Sequence, residues 1–280
     1  MTGNPGSGMR RPIARKVATA LRKRPEAPLS IILLVLVISG WEAAIWLFAI
    51  PSIILPTPTA VARALWSNLS TARFYMHVGV TLWEVVIGFL IGAWSGVIIG
   101  VSIGQWKLLD KALSPYIIAL QTVPKVAIAP MIVIWFGYGV ASKIVITALI
   151  AFFPVVVNCI AGMNAASQLQ IEMLRSFTAT RWHVFRMVKI QTALPFIFAG
   201  LDIAVVLSVI GAIVGEFIGA QAGLGYLLLQ RNFSMDTAGS FAILIVLSLI
   251  GITLHQIVAE VRRRAVFWCE EKETAATGSS

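Results

Sequence analysis

The stretch QLQIEMLRSFTATRWHVFRMVKIQTALP, residues 168–195, is polar and lies between two apolar runs, residues 144–162 and 196–214. Apolar residues recur in it at helical spacing, which predicts two short helices joined by a turn near residues 178–180. Thr180 is placed to cap the second helix, since a threonine hydroxyl accepts a hydrogen bond from a backbone amide of the first turn. The pattern predicts a helical hairpin at a membrane surface, with one face free to bind another protein.

The composition is that of a membrane protein. Of the 280 residues, 58% are hydrophobic and 12% are charged, whereas about a quarter of the residues in soluble domains are charged. A net charge of +10 would suit nucleic acid, but the basic residues cluster at the ends of apolar runs, so no nucleic-acid partner is expected. The two cysteines and three histidines are scattered, and no metal site is predicted.

Six apolar runs are long enough to cross a bilayer, and they predict an all-α membrane protein with six transmembrane helices. The first run follows a basic tail, residues 1–28, and it is too long for a signal peptide. The predicted membrane domain covers residues 29–264, and a second tail covers residues 265–280. The six runs are residues 29–50, 78–104, 113–136, 142–162, 196–217 and 241–261.

Basic residues separate the two sides of this predicted topology. The first tail, the loop after the second run, the hairpin and the arginines after the sixth run share one side. The positive-inside rule makes that side cytoplasmic, so both termini are expected in the cytosol.

Glycines recur at every fourth residue of the second run, and a similar series ends the fifth run. Small residues at this spacing let two helices approach closely within a membrane. The candidate helix-packing residues are Gly88, Gly92, Gly96, Gly100, Gly211 and Gly215.

The third run contains three prolines, which predict kinks or breaks. Lys125, next to Pro124, is the basic residue deepest within a run, and it either contacts a transported anion or snorkels toward the membrane surface. Glu84 lies near the outer end of the second run as an interfacial or packing group, although a transport role stays open. The candidate residues for a translocation path are Gln121, Pro124, Lys125 and Glu216.

Residues 168–195 resemble the cytoplasmic coupling loop of bacterial ABC-importer permeases of the nitrate/sulfonate/taurine type. Glu172 stands at the first position of that family's motif, while Thr178 replaces its glycine and Gln191 a usual proline. Because threonine is β-branched, we expect Thr178 to avoid positive φ and the turn to be built differently. The resemblance implies an ATPase-coupling surface formed by Glu172, Arg175, Thr178, Ala179, Thr180, Arg181, Trp182, Phe185 and Arg186.

The resemblance also implies a type I ABC-importer permease fold in the bacterial inner membrane. Its implied partners are two cytosolic ATPase subunits, an external substrate-binding protein and a second permease copy, as a homodimer. The implied solute is a sulfonate, nitrate, taurine or a pyrimidine vitamin precursor. The sequence has no Gly-x-x-x-x-Gly-Lys-Ser/Thr motif, so ATP is expected to bind to the partner subunits. No cofactor is expected in this chain, which we interpret as a transporter subunit rather than an enzyme.

Two other classes of protein stay open. An ion-coupled secondary transporter would use an inverted repeat and buried ionisable groups at broken helices. Asp202, Glu216 and Lys125 are candidates for such groups, yet the two halves of the sequence do not match. A non-transporting membrane scaffold would need no path for a solute.

Overall fold

The computed structural model describes residues 26–268, which form helices and connecting loops without a β-strand among them. Most of the two predicted tails, residues 1–25 and 269–280, lies outside this part of the chain. A π-helical turn, Phe185–Lys189, joins the short helix Arg181–Val184 to the long helix Ile190–Gly219. The helices are α1 Glu26–Leu47, α2 Pro58–Leu69, α3 Ala72–Gln105, α4 Lys107–Thr122, α5 Lys125–Phe136, α6 Val140–Asn164, α7 Gln168–Ser176, α8 Arg181–Val184, α9 Ile190–Gly219, α10 Leu224–Phe233 and α11 Thr237–Ala265.

Within the described residues, four helices are long and apolar enough to cross a membrane. They are α3, α6, α11 and the continuous helix Arg181–Gly219, which contains α8, the π-helical turn and α9. Helices α4 and α5 pass the same test together, with a bend of 90° between them. The expected all-helical membrane fold is therefore confirmed, with four to five candidate spans. The predicted first span falls on α1, whose apolar portion Ile32–Leu47 is shorter than the others.

The break between α4 and α5 occurs at one of the three prolines of the predicted third span. Val123 is extended, at φ −63° and ψ 130°, and Pro124 follows it at the start of α5. Proline has no amide to donate and disfavours helical geometry in the residue before it. Pro115 and Pro130 lie inside α4 and α5 without ending them.

Helix α6 forms the centre of the described part of the chain, and α3 and α9 both pack against it and against each other. Its inward residues Ala151, Val155 and Cys159 are completely buried. A Cβ atom added at Gly92 would lie 2.5 Å from the Ala148 carbonyl oxygen, and one at Gly100 would lie 2.5 Å from Cys159 Cβ. The glycine series thus allows α3 to approach the α6 backbone.

The second glycine series packs on α6 from the α9 side. A Cβ atom at Gly211 would lie 2.9 Å from Thr147 Cα, and one at Gly215 would lie 3.2 Å from Lys143 Cα. The two series therefore pack against the same helix, and both contacts lie within one subunit.

Candidate functional site

The hairpin has a small core of its own. Ile171 of α7, Val184 of α8 and Val188 of the π-helical turn are buried together beside Ala166. The Thr180 hydroxyl accepts a hydrogen bond from the His183 amide at 3.4 Å, so the predicted cap of the second helix is confirmed. These contacts make the hairpin a packed unit rather than a solvated loop.

The turn between the two hairpin helices differs from the expectation for Thr178. Thr178 has φ +60°, so the expectation that it avoids the left-handed region is wrong. The Ala179 amide donates to the Leu174 carbonyl at 3.1 Å, and the Thr178 amide donates to the Arg175 carbonyl at 2.9 Å. These two bonds form a Schellman motif, which satisfies the last carbonyls of α7 and places a left-handed residue at Thr178. The turn thus keeps the geometry that glycine usually supplies.

The outer face of the hairpin carries large apolar side chains. Trp182 is 65% exposed, and its ring stacks on Phe185 with 5.4 Å between centroids. Phe177 is 75% exposed, and Leu169 and Met173 on α7 are also exposed. Apolar side chains exposed on an otherwise polar hairpin are candidates for contact with another molecule. Sequence reasoning missed Leu169 and Met173, although their four-residue spacing with Phe177 was a usable signal.

The charged hairpin residues are free to pair with another molecule. Glu172, Arg175, Arg181 and Arg186 are all exposed. No salt bridge within residues 26–268 involves any of them. Ala179 is half-buried beneath this surface, against the hairpin core.

A groove of about 560 Å³ runs beside the hairpin. Met173 and Leu174 line it from α7, Met187 lines it from the π-helical turn, and Trp268 closes it. The hairpin therefore presents a groove in addition to its exposed aromatic side chains.

The hairpin is tied to the ends of the neighbouring spans. The Lys189 ammonium donates to the side-chain oxygen of Gln105, the last residue of α3, at 3.1 Å, and to its carbonyl at 3.3 Å. Asn164 at the end of α6 donates to Asp110 of α4 at 2.7 Å. Force applied to the hairpin would reach α3 directly.

Three of the four candidate path residues meet at the break between α4 and α5. The Lys125 ammonium donates to the Gln121 carbonyl at 2.7 Å and lies 4.6 Å from the Phe153 ring centroid. Pro124 connects these two residues. Gln121 and Lys125 line a cavity of about 320 Å³ together with Ile210 of α9. A role for them in transport stays a prediction.

Glu216 lies elsewhere, in a buried polar cluster that sequence reasoning did not assemble. The Lys143 ammonium donates to Glu84 at 2.8 Å, and the two residues are 5% and 0% exposed. Glu216 is 1% exposed and accepts a hydrogen bond from the Thr81 hydroxyl at 2.6 Å. We call His77, Thr81, Glu84, Lys143 and Glu216 the polar network. No spacing rule joins residues so far apart in sequence.

The described residues thus define a class: helical membrane subunits that carry a packed, aromatic and basic hairpin at the start of one candidate span. Residues 88–266 match the model of the family described as binding-protein-dependent transport system inner membrane components. The chain belongs to this family, whose members are the permeases of ABC importers, so ATPase and substrate-binding partners are implied. The family resemblance stated from the sequence is thereby confirmed.

Individual relatives agree with this assignment. The riboflavin transport system permease protein RibX of Chloroflexus aurantiacus is 34% identical over 235 residues, which cover 84% of this chain and 88% of RibX. The formylaminopyrimidine transport permease protein ThiX of Halalkalibacterium halodurans is 34% identical over 212 residues, covering 76% and 84% of the two chains. Permeases named for aliphatic sulfonates, taurine and nitrate also match.

The fold is similar to a solved structure of the MetNI methionine ABC transporter in an inward-facing conformation. The similarity has a TM-score of 0.53 at 20% sequence identity, and it covers 76% of this chain and 98% of the other. At this identity the comparison supports the fold alone.

Proposed function

We propose that this chain is a six-span, type I ABC-importer permease that works as a homodimer with two cytosolic ATPase subunits. An external binding protein delivers a small solute, and the hairpin docks on an ATPase. One observation carries the proposal: the exposed aromatic and basic surface of the hairpin continues directly into the candidate span that begins at Arg181.

The topology follows from charge and from helix lengths. Six spans result if α1 crosses the membrane and if the bent pair α4–α5 counts as one crossing. The hairpin and the arginines at the end of α11 then lie on one side, which the positive-inside rule assigns to the cytosol together with both termini.

The chemistry of the hairpin suits a protein groove lined with apolar and acidic groups. Buried aromatic residues and arginine dominate the binding energy of most protein interfaces. Trp182 and Phe177 offer apolar area, and Arg181 and Arg186 are available for acidic residues of the ATPase. The sequence lacks a phosphate-binding loop, so ATP binding is assigned to those partner subunits.

The solute belongs to the range of small molecules for which the relatives are named: riboflavin, a formylaminopyrimidine, aliphatic sulfonates, taurine and nitrate. Lys125 and Gln121 are the polar candidates for a path, and the cavity that they line measures about 320 Å³. We assign solute selection to the external binding protein. A high-affinity solute site measured on the isolated permease would contradict this assignment.

The docking proposal is tested with the double variant Trp182→Ala/Arg186→Glu. We expect it to insert normally into the membrane and to retain about tenfold less ATPase in a pull-down, because loss of a central aromatic and reversal of a charge remove hot-spot energy. Solute uptake should fall in parallel.

The matched control is Trp66→Ala/Arg63→Glu on α2, where both residues are also exposed. It removes the same groups from the side proposed to face outward, so it should pull down the ATPase like the unaltered protein. If the hairpin variant binds ATPase and imports solute at normal levels, the coupling surface lies elsewhere.

A further inference from the structure

The first turn of α10 is held by side chains from two other helices. The start of a helix leaves several amides without intrahelical acceptors, and Gly223, which precedes α10, offers no side chain to cap them. His77 Nδ1 accepts from the Gly223 amide at 3.0 Å, and Thr81 Oγ1 accepts from the Leu224 amide at 2.7 Å. Glu216 Oε2 accepts from the next two amides, that of Gly225 and, at 3.3 Å, that of Tyr226.

These acceptors are joined to one another. The Thr81 hydroxyl accepts from Leu224 while it donates to Glu216 Oε1, so one hydroxyl bridges α3, α9 and α10. Thr81 is 0% exposed and Glu216 is 1% exposed, so water cannot replace either group. A carboxylate at a helix start is favoured by charge-assisted hydrogen bonds and by the helix dipole.

The polar network extends from this point into the core. His77, Thr81 and Glu84 are separated by four and three residues, so they lie on one face of α3. Glu84 is bonded to Lys143 of α6. The first turn of α10 is thus bonded to side chains of α3 and α9, and the Glu84–Lys143 pair on the same face of α3 adds a contact to α6.

The loop before α10 is shaped to admit the carboxylate. Gly223 has φ +119°, and a Cβ atom there would collide with the Glu216 carboxyl group. A Cβ atom at Gly225 would lie 2.8 Å from Glu216 Oε2. Both glycines are therefore required by the approach of this one side chain.

We infer that His77, Thr81 and Glu216 are positioning residues that couple α10 to the membrane helices, so that a protein binding on the α10 side acts on α3 and α9 through them. This inference rests on the proposed function, which places α10 on the outer face, where the binding protein docks. The simpler alternative is that the polar network only stabilises the fold.

The contact itself is tested by hydrogen exchange on the purified permease, without any partner. Thr81→Val keeps the shape of the side chain but leaves the Leu224 amide without an acceptor, whereas Thr81→Ser keeps the hydroxyl. We expect amide exchange in residues 223–226 to accelerate about tenfold or more in Thr81→Val and to stay unchanged in Thr81→Ser. Equal exchange in both variants would overturn the inference.

Ser208→Ala is the matched control for loss of a buried hydroxyl. Ser208 is 0% exposed, and its one hydrogen bond within residues 26–268 goes to the Ala204 carbonyl of its own helix, so its removal should not affect residues 223–226. If Thr81→Val fails to assemble, Glu216→Gln is the milder variant, since it retains one oxygen that accepts from the amides. We expect a smaller acceleration from it, and no acceleration would overturn the inference.

Coupling is tested in the reconstituted complex with ATPase and binding protein. We expect Thr81→Val to keep basal ATP hydrolysis within about twofold and to lose stimulation by the binding protein about fivefold or more. Thr81→Ser and Ser208→Ala should be stimulated normally. A purely structural role would lower basal and stimulated hydrolysis together, and that result overturns the coupling. Failure of the unaltered chain to bind any ATPase would contradict the proposed function instead, and the exchange experiment would still decide the contact.

Discussion

Glu84 and Lys143 form a buried ion pair. Both side chains are withdrawn from water, and the second oxygen of Glu84 has no hydrogen-bond partner among the described residues. Desolvating two charges is unfavourable, and their attraction offsets it only while both are present. Removing one partner should therefore be worse than removing both.

Lys143→Met tests this asymmetry, because methionine has nearly the length of lysine without its charge. We expect a loss of about 3–5 kcal/mol in stability, since an unpaired carboxylate remains buried. The double variant Glu84→Leu/Lys143→Met should recover most of the loss. Thermal unfolding of the detergent-purified protein provides the measurement, and a double variant less stable than Lys143→Met would contradict the argument.

Thr178 allows a second test at a single position. A left-handed conformation costs a non-glycine residue about 1–2 kcal/mol, while glycine gains about 0.5–1 kcal/mol of extra freedom in the unfolded chain. Thr178→Gly should therefore stabilise the hairpin by up to about 1 kcal/mol, and Thr178→Ala, which keeps a Cβ atom, should not. Melting temperatures of the two variants decide the matter, and a lower value for Thr178→Gly would refute the strain.

These residues also show what can be predicted locally. The Thr180 cap followed from a rule that spans three residues. The conformation of Thr178 did not, because the two Schellman hydrogen bonds outweigh the steric preference of threonine. The pairing of Glu84 with Lys143 joins positions 59 residues apart, and one sequence contains no signal for such a contact.

At the level of helices, the glycine series of α3 shows how a spacing in the sequence predicts a close contact between helices. Spacing alone predicted a close approach but did not identify the neighbour. The structure identifies it as α6 of the same subunit, whose small and β-branched residues receive the α3 backbone.

Gly96→Leu should disrupt this contact. A Cβ atom there would lie 2.9 Å from Val155 Cβ and 3.0 Å from the Phe152 carbonyl, and the backbone cannot easily retreat. We expect loss of folded protein from the membrane fraction. Gly79→Leu on the same helix is the control, since a Cβ atom at Gly79 meets no other helix or side chain of residues 26–268 within 4 Å. Equal yields of the two variants would show that the α3–α6 contact is not required.

The break between α4 and α5 shows that the presence of prolines does not by itself predict where a helix is interrupted. Three prolines predicted an interrupted helix, and the chain breaks at Pro124 alone. Pro115 and Pro130 are accommodated within helices. A proline inside a helix removes one intrahelical hydrogen bond, but a helix can bend around that loss, so three prolines in one apolar run do not indicate which of them ends the helix.

For the chain as one molecule, topology is the prediction with the widest consequences. Ser176 in the hairpin and Ser234 after α10 are both exposed, and the proposed arrangement puts them on opposite sides. In a background without native cysteines, an impermeant maleimide should label Ser234→Cys in intact cells and should label Ser176→Cys only after the membrane is opened. Labelling of Ser176→Cys from outside would invert the arrangement.

The class of protein was predictable because its signal is local: a hairpin motif of under 30 residues, set between two apolar runs. The family match confirms that class. The particular solute was not predictable, since the relatives are named for chemically different molecules while their sequences all match this chain over most of its length.

The continuous helix Arg181–Gly219 has a mechanical consequence. Its 39 residues extend about 58 Å, roughly twice the hydrocarbon thickness of about 30 Å. A tilt of about 10° around its middle would move its two ends about 5 Å in opposite directions. Trp182 lies near one end and Glu216 near the other, so a rigid tilt of this helix would displace the hairpin and the α10 contact together. Inserting one residue between them would rotate one end by about 100° relative to the other. The hairpin surface and the α10 contact would then each stay intact but would no longer keep their relative orientation.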